Sequence, residues 1–169
     1  MPAPGDLLRF GAPRRIVGDA AVGPGIGRRL LQAAALAACW QLADVTLVAL
    51  ARTGISPRGG QELLLRSGCT MGVALEVAVE EDESEIGQGP LEIVRAMGFA
   101  RAASLGPSAG ARPAVRTDQP VLASLLLPAG VAARSFALAA RYRGSDLERL
   151  AIQDAVRLAE LLQSALSPS

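Results

Sequence analysis

Thr70-Met71-Gly72-Val73-Ala74-Leu75-Glu76-Val77-Ala78-Val79-Glu80, residues 70–80, alternates with a period of two. Met71, Val73, Leu75, Val77 and Val79 point one way; Gly72, Ala74, Glu76, Ala78 and Glu80 point the other. Successive side chains of an extended strand leave on opposite faces, so this segment lays one face on a core and presents a small or wetted second face. A sheet is therefore the centre of the fold, and the remaining segments are read by how they can pack around it.

Upstream, 27–43 is rich in alanine, the best helix former, and Leu31, Ala34, Ala35, Ala38 and Leu42 recur at helical spacing. Val45–Ala51 follows as a short apolar strand, 53–60 as a Gly/Pro turn, and 62–67 as a second hairpin arm. The run from Leu30 to Ala51 is long enough to cross a bilayer, but Asp44 near a membrane centre would cost roughly 3 kcal/mol. The change from Ala/Leu to Val/Thr/Leu within it favours a helix followed by a buried strand. Residues 1–26 are broken by proline and glycine and read as an arm, either a solvated strap or a segment that orders on a partner.

Downstream, Glu80, Glu81, Asp82, Glu83 and Glu85 form an acidic turn without the glycine spacing of a calcium loop. Pro90 is placed to open a helix to Ser104, and 105–120 reads as a Gly/Pro/Ser/Arg loop. Val121–Leu127 and Arg134–Tyr142 are apolar or alternating strands joined by a Pro-Ala-Gly turn, which predicts an antiparallel pair. Ser145-Asp146-Leu147-Glu148 has the form of a capping box and predicts a helix from 146 to 165. Its stripe of Ile152, Val156, Ala159 and Leu166 exceeds what one sheet face needs.

Composition excludes much chemistry. Of 169 residues, 50% are hydrophobic, mean hydropathy is +0.32 and net charge is +1, which describes a chain with a core and no basic stripe for nucleic acid. The sequence has no His, Lys or Asn. Ser-His and Cys-His dyads, imidazole metal ligands, Schiff bases and the phosphate-binding lysine of a P-loop are thereby absent. Cys39 and Cys69 are too few for a zinc site or a disulfide framework, no secretory signal opens the chain, and a reducing cytoplasm is the default. Proton transfer would fall to Asp, Glu, Cys69 or the single Tyr142. The Gly23-Pro24-Gly25-Ile26-Gly27 turn with Arg28 and Arg29 could hold an anion, although no clear strand precedes it. No cofactor or metal is expected.

The order of segments resembles a GAF domain. GRRLLQAAALAACWQLADVTLVALART is similar to that family's opening helix and first strand, QPVLASLLLPAGVAARSFALAARYRG to its late hairpin, and SDLERLAIQDAVRLAELLQSAL to its closing helix. The resemblance implies an α+β fold with a central antiparallel sheet and the N- and C-terminal helices on one face. It divides the chain into an arm (1–26), a domain (27–166) and a tail (167–169). It also implies a non-catalytic signalling or assembly module that dimerises, or binds another protein, through Leu31, Ala35, Ile152, Val156, Ala159 and Leu166. The alternative is a sensor of small anionic ligands, with Phe99, Arg101, Arg112 and Arg116 beside the long loop; a Cys69-dependent enzyme is the third reading. No nucleic acid or membrane partner is expected.

Overall fold

The computed structural model describes residues 15–17, 19–40, 42, 44–46, 62, 66–79, 86–97, 109–120 and 132–166. Among them are two sheets and two helices, a mixed α/β architecture. In chain order they are β1 (Arg15–Val17), β2 (Ala20–Val22), α1 (Ile26–Cys39), β3 (Met71–Val79), β4 (Leu91–Met97), β5 (Arg112–Pro120), β6 (Ala132–Ala140), β7 (Arg149–Ala151) and α2 (Ile152–Leu166).

The larger sheet has the order β3-β6-β4-β5. β3 runs parallel to β6, from Met71↔Ala132 to Val79↔Ala140. β4 runs antiparallel to β6 and parallel to β5. The sheet is thus mixed, which corrects the central antiparallel sheet expected above. The smaller sheet, β1-β2-β7, is antiparallel, and it draws Arg15–Val17 and Ala20–Val22 of the supposed arm into the fold.

β3 and β6 sit where the alternation put them. Val77, Phe136, Leu138 and Ala140 meet Leu31, Ala34 and Ala38 of α1 and Leu158, Leu161 and Leu162 of α2 in one core. The supposed helix from Pro90 is strand β4. Leu91, Glu92 and Ile93 are all buried, so the segment is covered on both faces and carries no one-sided helical stripe. Proline at a strand's start removes no needed ladder donor. The supposed loop at 105–120 contains strand β5, paired among the described residues with β4 alone, and such an edge position tolerates Pro113 and Pro120. Val45 and Thr46 lie outside the named strands; 47–51 and 121–127, both read as strands, lie outside the described residues. Glu62, Arg66 and Ser67 are helical, with an Arg66–Glu62 ion pair of 2.6 Å, where a hairpin arm was expected.

The capping box is not the start of α2. Ser145 Oγ accepts from Leu147 N at 3.1 Å, but it donates to the Tyr142 carbonyl at 2.7 Å and closes a turn. Residues 149–151 then pair with β2, and α2 begins six residues after Asp146, at Ile152.

Gly27 is required by a close approach. A Cβ there would lie 2.6 Å from Glu148 Oε1 and 2.8 Å from Val77 Cγ2. Gly27→Ala is expected to destabilise the fold by about 1–2 kcal/mol, overpacking outweighing the helix-propensity gain of alanine. Urea denaturation checks this, and a raised midpoint would contradict it.

Candidate functional site

The strand directions gather the loops at one rim. The carboxyl ends of parallel β3 and β6 lie at one edge of the sheet, and β4 and β5 begin at that edge, through Leu91↔Ala137 and Leu91↔Arg112. The turn at 86–90, residues 109–111 and the turn at 141–148 therefore share the edge. In open sheets of this kind, ligands are taken up beyond the carboxyl ends of the parallel strands.

Two buried carboxylates lace the rim together. Asp154, in the first turn of α2 and 1% exposed, accepts from Gly87 N and Gly89 N, each at 2.8 Å. Both glycines have positive φ, 87° and 101°, which lets two amides of one turn face the same carboxylate. Glu148 accepts from Gly25 N at 3.1 Å and Gly144 N at 3.5 Å, while its carbonyl accepts from Gly23 N at 2.9 Å. The anion held at the start of α1 is thus the chain's own Glu148, seated on the Gly25 amide at the head of the helix and on the Gly144 amide of the neighbouring turn. The partners of neither carboxylate show in the sequence pattern: Glu148 is 123 residues from Gly25, and Asp154 is 65 from Gly89.

Further polar pairs lie within the sheet. Ser135 Oγ donates to Glu76 Oε1 at 2.9 Å, and Arg134 pairs with Glu92 at 3.6 Å. Ser135 and Arg134 are adjacent on β6, so the pairs leave on opposite faces.

Above the rim projects an exposed turn from Tyr142 to Leu147. Tyr142 has φ 53°, a left-handed conformation found at no other non-glycine residue among those described. The residue is exposed, and the Arg141 guanidinium lies 5.2 Å from the ring centroid.

Of the four expected ligand residues, Arg112 begins β5 at the rim, its amide donating to the Pro90 carbonyl at 2.9 Å. Arg116 lies farther along β5, its side chain outside the described set, and Phe99 and Arg101 lie outside the described residues. The supposed interface is largely internal. Leu31 and Ala35 are buried, and Ile152, Ala159 and Leu166 are partly buried against the same core; Val156 alone of the six is strongly exposed, at 53%. Both cysteines are free and half-buried, and burial pushes the Cys39 thiol above its ordinary value, away from thiolate chemistry. Among the described residues no cluster of three or more Asp, Glu or Cys is gathered to hold a metal, and no helix is long and apolar enough to cross a membrane.

No family pattern matches the chain, and no curated protein matches it. Solved structures do. A TET aminopeptidase from a marine sediment Thaumarchaeota archaeon superposes with a TM-score of 0.75 at 15% identity, over 91% of this chain and 51% of that one. An aminopeptidase from Desulfurococcus kamchatkensis gives 0.74 at 15% identity, over 96% and 56%. The TET1 peptidase of Pyrococcus horikoshii, which assembles into a tetrahedron or a large octahedral shell, gives 0.68 at 14% identity, over 98% and 58%. The chain spans about half the length of these structures. They overturn the GAF resemblance, which rested on apolar rhythm shared by many α/β chains, and with it the reading as a non-catalytic signalling module. The chain has the fold of the TET-type aminopeptidases over nearly all of its own length.

Proposed function

We propose that this chain is a peptidase-type domain acting on the ends of peptides, and that peptides meet it at the carboxyl rim of β3 and β6. The observation that supports this most is the superposition of more than nine-tenths of the chain on aminopeptidases. The rim has groups suited to peptide ends: Asp146, exposed, for an ammonium, and Tyr142, a phenol able to pass a proton.

Aminopeptidases are among the enzymes that use two metal ions. The described residues do not fit such a centre. Asp154 and Glu148 are occupied by glycine amides, Glu76 by Ser135 and Glu92 by Arg134. The test is release of p-nitroaniline from alanyl- and leucyl-p-nitroanilide, and of free amino acid from trialanine, with and without added Mn²⁺. Cleavage that Tyr142→Phe lowers roughly a hundredfold or more supports the reading, that being the low end of general acid–base contributions. No cleavage and no binding of any peptide would sink it.

Self-association is the second part of the proposal. The Pyrococcus horikoshii relative assembles, and here the outer face of α1 carries Leu36 and Trp40 one turn apart, 55% and 85% exposed. Exposed large apolar groups in a cluster mark contact surfaces. Trp40→Arg and Val156→Arg are each expected to lower the mass seen by light scattering toward that of one chain, 17.4 kDa, without lowering Tm. A wild-type chain of that mass at every concentration would contradict a homodimer.

A further inference from the structure

We propose that the turn at 141–145 binds the free carboxylate of a short peptide, with Arg143 as its ligand and Tyr142 as the residue that aims it. This rests on the peptide reading above and adds to it the end of the peptide that is recognised.

The left-handed backbone of Tyr142 carries the argument. A bulky side chain is disfavoured there, and glycine would suit the same turn without strain. The fold imposes the conformation from both sides. Arg141 and Arg149 exchange backbone hydrogen bonds of 3.0 and 3.1 Å, and Ser145 N and Oγ bind the Tyr142 carbonyl at 3.0 and 2.7 Å. None of these contacts uses the ring, and Tyr142 as a whole is 56% exposed, so core packing does not offset the strain. A strained residue left exposed at a ligand-binding edge points to use by a ligand.

Its neighbours define the ligand. Arg143 is exposed, and no hydrogen bond or ion pair ties it to another described residue. Glu148, at the end of the turn, is turned inward onto Gly25 and Gly144. A guanidinium binds a carboxylate through two parallel hydrogen bonds. Arg141 stacked on Tyr142 adds positive charge and narrows the space the ring can sweep. Asp146, exposed in the same turn, disfavours a ligand with a second negative group and favours one with an ammonium. One carboxylate and one ammonium describe a short peptide with both ends free.

Titration calorimetry with trialanine and trialanine amide tests this. Wild-type protein should bind the free acid about tenfold or more tighter than the amide, a ratio equivalent to one strong charged contact. Arg143→Gln should bring the ratio near one. Tyr142→Gly should raise Tm by about 2–4 °C through relief of the left-handed strain, yet lower the ratio. Tyr142→Phe, which keeps ring and stacking, should preserve it. Equal binding of acid and amide by the wild type would overturn the assignment and leave the peptide reading standing; binding of neither would remove both. Inorganic phosphate bound in an Arg143-dependent way, with no preference for the peptide acid, would also overturn it.

Discussion

Asp154→Ala is expected to destabilise the protein by about 3–5 kcal/mol, because it strips the charged acceptor from two amides, one of them, Gly89 N, buried. Each bond is 2.8 Å long and runs to a carboxylate 1% exposed. A hydrogen bond to a charged acceptor contributes about 1.5–3 kcal/mol, and the buried Gly89 amide would be left without a partner. Tm should fall by roughly 2–4 °C per kcal/mol for a chain of this size. Asp154→Asn keeps one acceptor but turns an NH₂ toward a donor, so it should retain less than half of the stability that Asp154→Ala loses. Thermal denaturation by circular dichroism measures both. The same variants should speed hydrogen exchange at Gly87 and Gly89 before exchange rises elsewhere, since the rim opens first. A loss under about 1 kcal/mol for Asp154→Ala would mean that water already serves those amides.

Phe136→Ala should be comparably severe, at about 3–5 kcal/mol, for a different reason. Phe136 is 0% exposed, midway along β6, beside Leu75 of β3 and opposite Glu92 of β4. Its ring fills the space where both helices meet the sheet. Few neighbours can move into the vacancy, because Leu138, Leu150, Leu158 and Leu162 are themselves fully enclosed. A lower urea midpoint with an unchanged slope is the expected signature. A loss near 1 kcal/mol would show a core loose enough to collapse around the deletion.

How far the sequence can be read follows from the range of its signals. The alternation at 71–79 and 134–140 is local, and it placed β3 and β6 correctly. The alanine-rich run placed α1 within a few residues. What failed needed long-range information. Pro90 followed by Leu-Glu-Ile-Val satisfies a helix start as well as a strand start; only the pairing of Leu91 with Ala137 and Arg112 separates them. The box at 145–148 satisfied a local rule, but Glu148 took amides 123 and 4 residues away in place of the expected one. Parallel pairing of β3 with β6, across some 60 residues, leaves no mark on either strand.

The candidate site was less legible than the fold. Arg112 reached the rim, whereas Asp154 was not singled out within its helix and Tyr142 was read as a strand residue. A carboxylate serving distant glycines and a tyrosine with positive φ are properties of the assembled backbone, and residue type alone does not announce them.

Amide-resolved NMR during addition of trialanine tests the central claim most directly. The account predicts shifts at Gly25, Gly87, Tyr142, Arg143 and Gly144, the three turns joined by Glu148 and Asp154, with Leu158 and Leu162 unmoved. Shifts confined to the outer faces of α1 and α2, or none at saturating peptide, would contradict a peptide site at the carboxyl rim.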